Sequence, residues 1–269
     1  MNNTNSNIIV SLTSFPPRIA KIHITINSLL AQTVKADKIV LYLNKDEFKN
    51  WKIPEELQKC IDNGLEIRWV KGDYKSFNKL YHALKDFPNS NIITVDDDRI
   101  YSKNLIKKLL RIHKKFPNSI VANIMHKAGL NYKLKTIYNY SSNKWGKHVD
   151  NWFWNHSKPK NYFFAQGAGG VLYPPSTFNE TFFKNELFMD LCPKADDIWF
   201  WAMAVLNHKT TVCGCFHHSA KEVYKDGSPS RLATLNGKRN KDGETLNDLQ
   251  LKAIIKKFPE IVDILFNEK

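Results

Sequence analysis

A chain of 269 residues, 42% of them hydrophobic and 25% charged, is long enough to bury a full core and too apolar for wholesale disorder. No run approaches about 18 consecutive apolar residues, so no membrane-spanning helix is expected. The 40 Lys+Arg against 26 Asp+Glu leave a net charge of +14. That favours an anionic partner such as nucleic acid, a membrane surface or a phosphorylated substrate, without choosing among them.

The opening "MNNTNSN" is polar and uncharged, and lacks the basic and apolar regions of a signal peptide. Cys60, Cys192, Cys213 and Cys215 are not spaced as a disulfide framework, so a reducing cytosol is the expected compartment. "NIIVSLTSF" (7–15) reads as a buried strand stopped by Pro16 and Pro17. Ile19, Ile22, Ile26, Leu29 and Leu30 then recur at helical spacing. A second strand is expected at "KIVLYL" (38–43). A helix follows at "PEELQKCI" (54–61), with Pro54 at its first position, and then a third strand at "LEIRWV" (65–70). Ser76 is expected to cap a helix running to about Asp86. "NIITV" (91–95), "KNLIKKLLRIHKKF" (103–116) and "SIVANI" (119–124) continue the alternation as strand, helix and strand. Such alternation predicts an α/β fold, with a mostly parallel sheet covered by helices on both faces.

The second half reads differently. Residues 132–165 are rich in Tyr, Trp, Asn and Lys, with little periodicity. A Gly-rich segment, a helix from about Asp197 to Asn207 and a short strand near 210–216 follow. Then come a loop with Gly227, Gly237 and Gly243 and an amphipathic helix from Leu246. With no repeat and no Ser/Gly linker, the expectation is a single domain over 1–269. Residues 7–124 would form a nucleotide-binding half, 125–245 a second half for the other substrate, and 246–269 a helical tail.

The feature that carries chemistry is "TVDDD". Asp96, Asp97 and Asp98 close the fourth strand, at the end of a parallel strand where ligands bind in such sheets. In extended geometry Asp96 and Asp98 point one way and Asp97 the other. Two carboxylates on one side suit a hard divalent cation such as Mg²⁺ or Mn²⁺, which would remove their repulsion and grip phosphate oxygens. A solvated turn or a helix cap is the other reading.

At these residues the sequence resembles GT-A fold glycosyltransferases, in particular the bacterial family-2-like enzymes that build lipopolysaccharide or capsule. The resemblance runs over about 7–220. It rests on "VSLTSFPPRI", "TVDDD", "GAGGVLYPP" and "ADDIWFWAMA", in that order. It implies a nucleotide-diphosphate sugar as donor, with Thr13, Ser14 and Arg18 near the nucleotide. It further implies Asp96 near the ribose or sugar, Asp97 beside it, and Asp98 on a metal that bridges the diphosphate. Gly169 and Gly170 lie in the loop that precedes the acceptor site in such enzymes. The acidic pair Asp196 and Asp197 matches the pair that in inverting GT-A enzymes supplies the catalytic base, usually its second member, which favours inversion with Asp197 as base; a retaining enzyme needs no such base, and either residue would also cap a helix. His217 and His218 fall where a third metal ligand is sought.

Other segments stay open. Lys79 suits a diphosphate or sugar contact as a compact cation, or a solvated helix face. Zinc at "CGCFHH" is disfavoured, because adjacent histidines seldom ligate one ion. Arg231, Lys238 and Arg239 would suit a basic lid, and "WGKHVDNWFWNH" (145–156) a sugar-stacking platform or core. The reading as a whole is metal-dependent transfer of a sugar to a hydroxyl of a glycan or lipid-linked glycan. Location would be cytoplasmic, beside the anionic inner face of the membrane. A nucleotidyltransferase acting on sugar phosphates would need a Gly-rich phosphate loop where "TSFPPR" has prolines. A nucleic-acid-binding module would gather its basic residues on one element, and here they lie in many segments.

Overall fold

The computed structural model describes residues 6–49, 51–140, 158–214, 220–224 and 236–267. In chain order the first part runs β1 (Ile8–Thr13), α1 (Pro16–Ile19), α2 (Ile22–Leu30), β2 (Lys38–Asn44), α3 (Glu55–Asp62), β3 (Leu65–Val70), α4 (Asn78–Asp86) and β4 (Asn91–Thr94). Then come β5 (Arg99–Tyr101), α5 (Leu105–Lys115), β6 (Ile120–Ala122), β7 (Met125–Lys127), β8 (Gly129–Asn131) and β9 (Thr136–Asn139). The rest comprises β10 (Phe163–Ala165), β11 (Val171–Tyr173), α6 (Asn185–Leu191), α7 (Asp196–Leu206), β12 (Thr211–Cys213), β13 (Ala220–Glu222), α8 (Leu246–Lys257) and α9 (Glu260–Asn267).

Seven strands form the central sheet, in the order β12-β6-β11-β4-β1-β2-β3. β1 is parallel to β2 and β4, β2 to β3, and β12 to β6. Only β11 among them runs antiparallel, between β4 and β6. The α/β expectation therefore holds, with a mixed but mostly parallel sheet. Alternation along β1 feeds two cores. Val10 and Leu12 point to the face covered by α1, α2, α3 and α5, and Ile9 to the face covered by α4, α6, α7, α8 and α9. After β3 the chain crosses back over β1 to lay down β4, so the connections leave the carboxyl ends of β1 and β4 in opposite directions. That divergence opens a crevice.

Several local expectations change. β1 ends at Thr13, short of Phe15, and Pro16 and Pro17 occupy the first turn of α1, where a missing N–H costs nothing. Pro54 is the N-cap of α3 and not its first residue. Ser76 makes no cap: it lies within a short 3₁₀ turn, Lys75–Phe77, that leads into α4. The helical tail is two helices, parted at Phe258 and Pro259. The first of them starts with a Thr245–Asp248 capping box.

Candidate active site

Three sequence segments meet over the β1–β4 crevice. The first is the triplet. β4 ends at Thr94, and Asp97 and Asp98 form a turn, so strand alternation stops short of them. Asp96 turns toward α4, where its Oδ1 lies 2.8 Å from Lys79 Nζ. Asp97 turns toward α1. Its Oδ2 accepts from Ser14 Oγ at 2.6 Å and its Oδ1 from Arg18 Nη1 at 2.6 Å. Thr25 Oγ1 donates to its carbonyl oxygen at 2.9 Å. Asp98 Oδ2 lies 3.3 Å from the same Arg18 Nη1, and its Oδ1 is 3.5 Å from Arg99 Nε. The expectation that Asp96 and Asp98 share a side is thus corrected: Asp97 and Asp98 share Arg18, and Asp96 stands apart. Three cations answer the three carboxylates, which is how the chain tolerates them at the end of a buried strand.

The second segment is the glycine loop. Gln166 N–H donates to Ile124 O at 2.8 Å, and Asn123 Nδ2 donates to Gly169 O at 2.9 Å. A Cβ on Gly169 would stand 2.6 Å from Ile124 Cγ1 and 2.8 Å from its backbone nitrogen. Gly170 holds φ at +84°, where a side chain is strained. Gly169 lets the loop lie against Ile124, between β6 and β7, and Gly170 lets it lie against Leu105 of α5. Gly167 is the one that faces the charges, since its Cβ would sit 2.9 Å from Lys79 Nζ and 3.0 Å from Asp96 Oδ1. Tyr101 ties the loop to the triplet: Asp96 N–H donates to its Oη at 2.8 Å, and that hydroxyl donates to Ala168 O at 3.3 Å.

The third segment is the start of α7. This helix is buried nearly all round between the sheet and α8 and α9, which is why its sequence is apolar on every face. Trp199 Nε1 donates to Phe182 O at 3.1 Å and Trp201 Nε1 to Asn161 O at 2.8 Å, fixing its rotation. Its first two residues, Asp196 and Asp197, are thereby aimed into the crevice, where the helix dipole favours negative charge. Neither is the N-cap, which is Ala195, with no side-chain cap bond. Asp196 Oδ2 lies 3.1 Å from Lys79 Nζ.

Lys79 is therefore not a solvated helix residue. Its side chain is 6% exposed and stands between Asp96 and Asp196. Burial works against its charge, but Asp196, Asp96 and Asp197 outweigh that and hold its pKa well above the usual value. Burial likewise opposes the ionised form of Asp96, and Lys79 overcomes it, so this carboxyl titrates below its ordinary range. Asp97 is shifted up by burial despite Arg18 and Ser14. Asp197 lies well above the usual carboxylate range, first through burial and then through the charge of Asp196, with Lys79 and the Gly167 N–H opposing. Three carboxylates share one ammonium here, so a proton arriving at Asp197 is stabilised.

The donor chemistry for a cation can be tested directly. Among the described residues no three His, Cys, Asp or Glu side chains converge on one point. His217 and His218 lie outside the described residues, as do Arg231 and the aromatic block 145–156. Mg²⁺ is commonly held by one or two carboxylates, with phosphate and water oxygens completing its shell. Asp98, a hard oxygen donor at the mouth of the crevice, fits that mode. Thr13 Oγ1 donates to Tyr42 O at 2.8 Å, at the end of β1. Arg239 bonds Gly243 O within its own turn. The sequence alone does not single out Gly167, Tyr101 or Arg99. The first two become visible only when chain segments far apart are brought together.

No protein-family model matches the chain, and no curated protein matches it. Its fold is similar to that of S. aureus TarS (TM-score 0.49, 13% identity, 77% of this chain and 35% of that one). It is also similar to CMP:2-keto-3-deoxy-manno-octonic acid synthetase complexed with CTP (TM-score 0.42, 9% identity, 77% and 89%). A third likeness is to glucosyl-3-phosphoglycerate synthase from Mycobacterium tuberculosis in complex with Mn²⁺, uridine-diphosphate and phosphoglyceric acid (TM-score 0.33, 14% identity, 44% and 42%). The chain spans about a third of the length of TarS and less than half that of the glucosyl synthase. At TM-scores below 0.5 these likenesses are distant, and none of them assigns a substrate or a residue's role.

Proposed function

We propose that the protein is a GT-A-type glycosyltransferase that moves a sugar from a nucleotide diphosphate to a hydroxyl of a glycan or lipid-linked glycan. The observation that carries the reading is the meeting of Arg18, the Asp96–Asp98 triplet, the Gly167 loop and the Asp196–Asp197 pair around Lys79, in one crevice at the carboxyl ends of β1 and β4. In this reading residues 7–124 hold the donor and the second half holds the acceptor.

Thr13 and Ser14 edge the nucleotide pocket. Asp97 fixes Arg18, which places a guanidinium beside the triplet as positive charge for the diphosphate. Asp96, held by Lys79, meets the ribose or sugar. Asp98 would hold Mg²⁺ or Mn²⁺, and when bound the cation supplies positive charge for the departing diphosphate. In its ionised form, populated as pH rises toward and past its raised pKa, Asp197 accepts the acceptor's proton while the acceptor oxygen bonds the anomeric carbon and the bond to the diphosphate oxygen breaks. Gly167, without a side chain, lets the Lys79–Asp96 pair lie directly against the loop backbone. A nucleotidyltransferase is less well supported, because α1 starts with two prolines where such an enzyme needs a Gly-rich phosphate loop.

Thermal-shift screening of nucleotide diphosphates and their sugars, with and without Mn²⁺, tests this. One nucleotide should raise the melting temperature by on the order of 5 °C at about 100 times its Kd, and only with the cation present. Asp98→Ala should remove that shift and abolish transfer while the fold is kept. Full activity of the parent in EDTA overturns the metal assignment.

A further inference from the structure

The net charge of +14 is not spread evenly. Between Arg99 and Val149 the chain carries 12 of its 40 Lys and Arg residues and none of its 26 Asp and Glu residues. What segregates the charge is the absence of acids, more than any run of bases. Outside this stretch cations have acids close by in sequence, as Lys59 has Glu55 and Glu56 on α3; within it Arg99 is answered by Asp98 and Glu222, which lie outside the stretch.

Within this stretch α5 presents its cations as a surface. α5 buries Leu105, Ile106 and Leu109 against the sheet. At about 100° per residue, Lys107, Arg111 and Lys114 fall on the opposite side, one per turn. Lys103 and Lys115 extend the line at either end, and all five are exposed. Asn104, Lys107, Lys108 and Arg111 line a shallow cavity of about 230 Å³ beside the first turn. No carboxylate occurs in the helix, and the last turn adds His113.

We infer that the outer face of α5 is the surface by which this protein docks on an anionic phospholipid bilayer, with a headgroup phosphate seated in the Asn104–Arg111 cavity. The argument is charge complementarity. A straight row of ammonium and guanidinium groups on one helix matches a planar layer of phosphates, and each such cation near a membrane surface contributes favourably. Leu110 and Ile112 on the same helix are half-buried and leave some apolar surface against which lysine stems can lie when their heads reach the phosphate layer. The helix presents no Phe, Tyr or Trp for stacking bases, so a single-stranded nucleic acid fits it less well. The inference stands on charge placement alone and does not require the transfer reaction. If both hold, the helix that follows the triplet would orient the crevice toward a lipid-linked acceptor.

The test is co-sedimentation of the full chain with vesicles of phosphatidylcholine, alone or mixed with phosphatidylglycerol. Lys107→Gln/Lys114→Gln is compared with Lys49→Gln/Lys52→Gln, an equal loss of charge from the exposed loop after β2. Expected is binding only to the anionic vesicles, weakened at least about tenfold by the α5 pair and less than about threefold by the loop pair. Equal weakening by both pairs overturns the assignment to α5. Binding to neutral vesicles overturns the electrostatic basis, and binding to duplex DNA or RNA but not to vesicles overturns the choice of a membrane. A nucleotide-diphosphate thermal shift run on the same α5 variant keeps this question separate from that of glycosyl transfer.

Discussion

Asp197 costs the fold stability as pH rises, and in the proposed reaction the same carboxyl would be the base. Burial and the neighbouring Asp196 charge raise its pKa, so the folded chain holds a proton there that the unfolded chain has released. The unfolded carboxyl titrates near about 3.9. Above that value, and up to the folded pKa, stability falls as pH rises, because the folded state binds more protons than the unfolded one. Asp197→Asn removes that loss. We predict that it melts no lower than the parent at neutral pH and depends less on pH, as followed by thermal denaturation from about pH 5 to 8. Transfer should fall by at least about 10²-fold while nucleotide binding stays near normal, because an amide cannot take the acceptor's proton. Turnover within about threefold of the parent would falsify the base assignment. A lower melting temperature with normal turnover would return Asp197 to a purely structural role at the helix start.

At the scale of elements, the glycine loop and α7 are placed by packing and not by their own sequence preferences. Gly169 touches the Ile124 backbone, which cannot move aside as a flexible side chain would. Gly169→Ala should therefore cost roughly 1–3 kcal/mol, seen as a fall in melting temperature of about 2–4 °C for each of those units. An unchanged melting curve would show that the loop shifts freely and that its contact with Ile124 is not what positions it. Gly167 lies two residues away in the same loop, yet its close neighbours are Lys79 and Asp96. Which glycine packs and which faces the charges was not readable from "GAGG", because spacing does not say what stands opposite each one.

For the whole molecule, the two cores lie on opposite faces of one sheet and draw on alternate residues of the same strands. Neither core keeps its inner wall if the sheet is lost. Heat unfolding is therefore expected to be one cooperative transition. Far-UV circular dichroism should coincide with tryptophan fluorescence, which samples Trp51 and Trp69 on one face and Trp199 and Trp201 on the other. Separated transitions would mean that the halves fold independently.

The alternation of β-branched runs with amphipathic helices up to Ala122 was legible because period 2 and period 3.6 are local properties of the chain. So were the triplet at the end of β4 and the acidic pair at the start of α7, since each follows or opens a strongly patterned element. The two-residue division of labour at the triplet was not. Alternation predicts side-chain direction only while the strand continues, and here the strand ends at Thr94. Lys79 looked like any lysine on a helix. Its burial between Asp96 and Asp196 depends on the start of α7 reaching Lys79 on the same face of the sheet as α4, and those helices are more than a hundred residues apart in the chain. Composition and short-range pattern thus determined the fold class and the segments that bear charge. Which charges meet, and which are pushed from their ordinary pKa values, was decided by long-range packing, because electrostatic energies depend on distance and burial that no local pattern encodes.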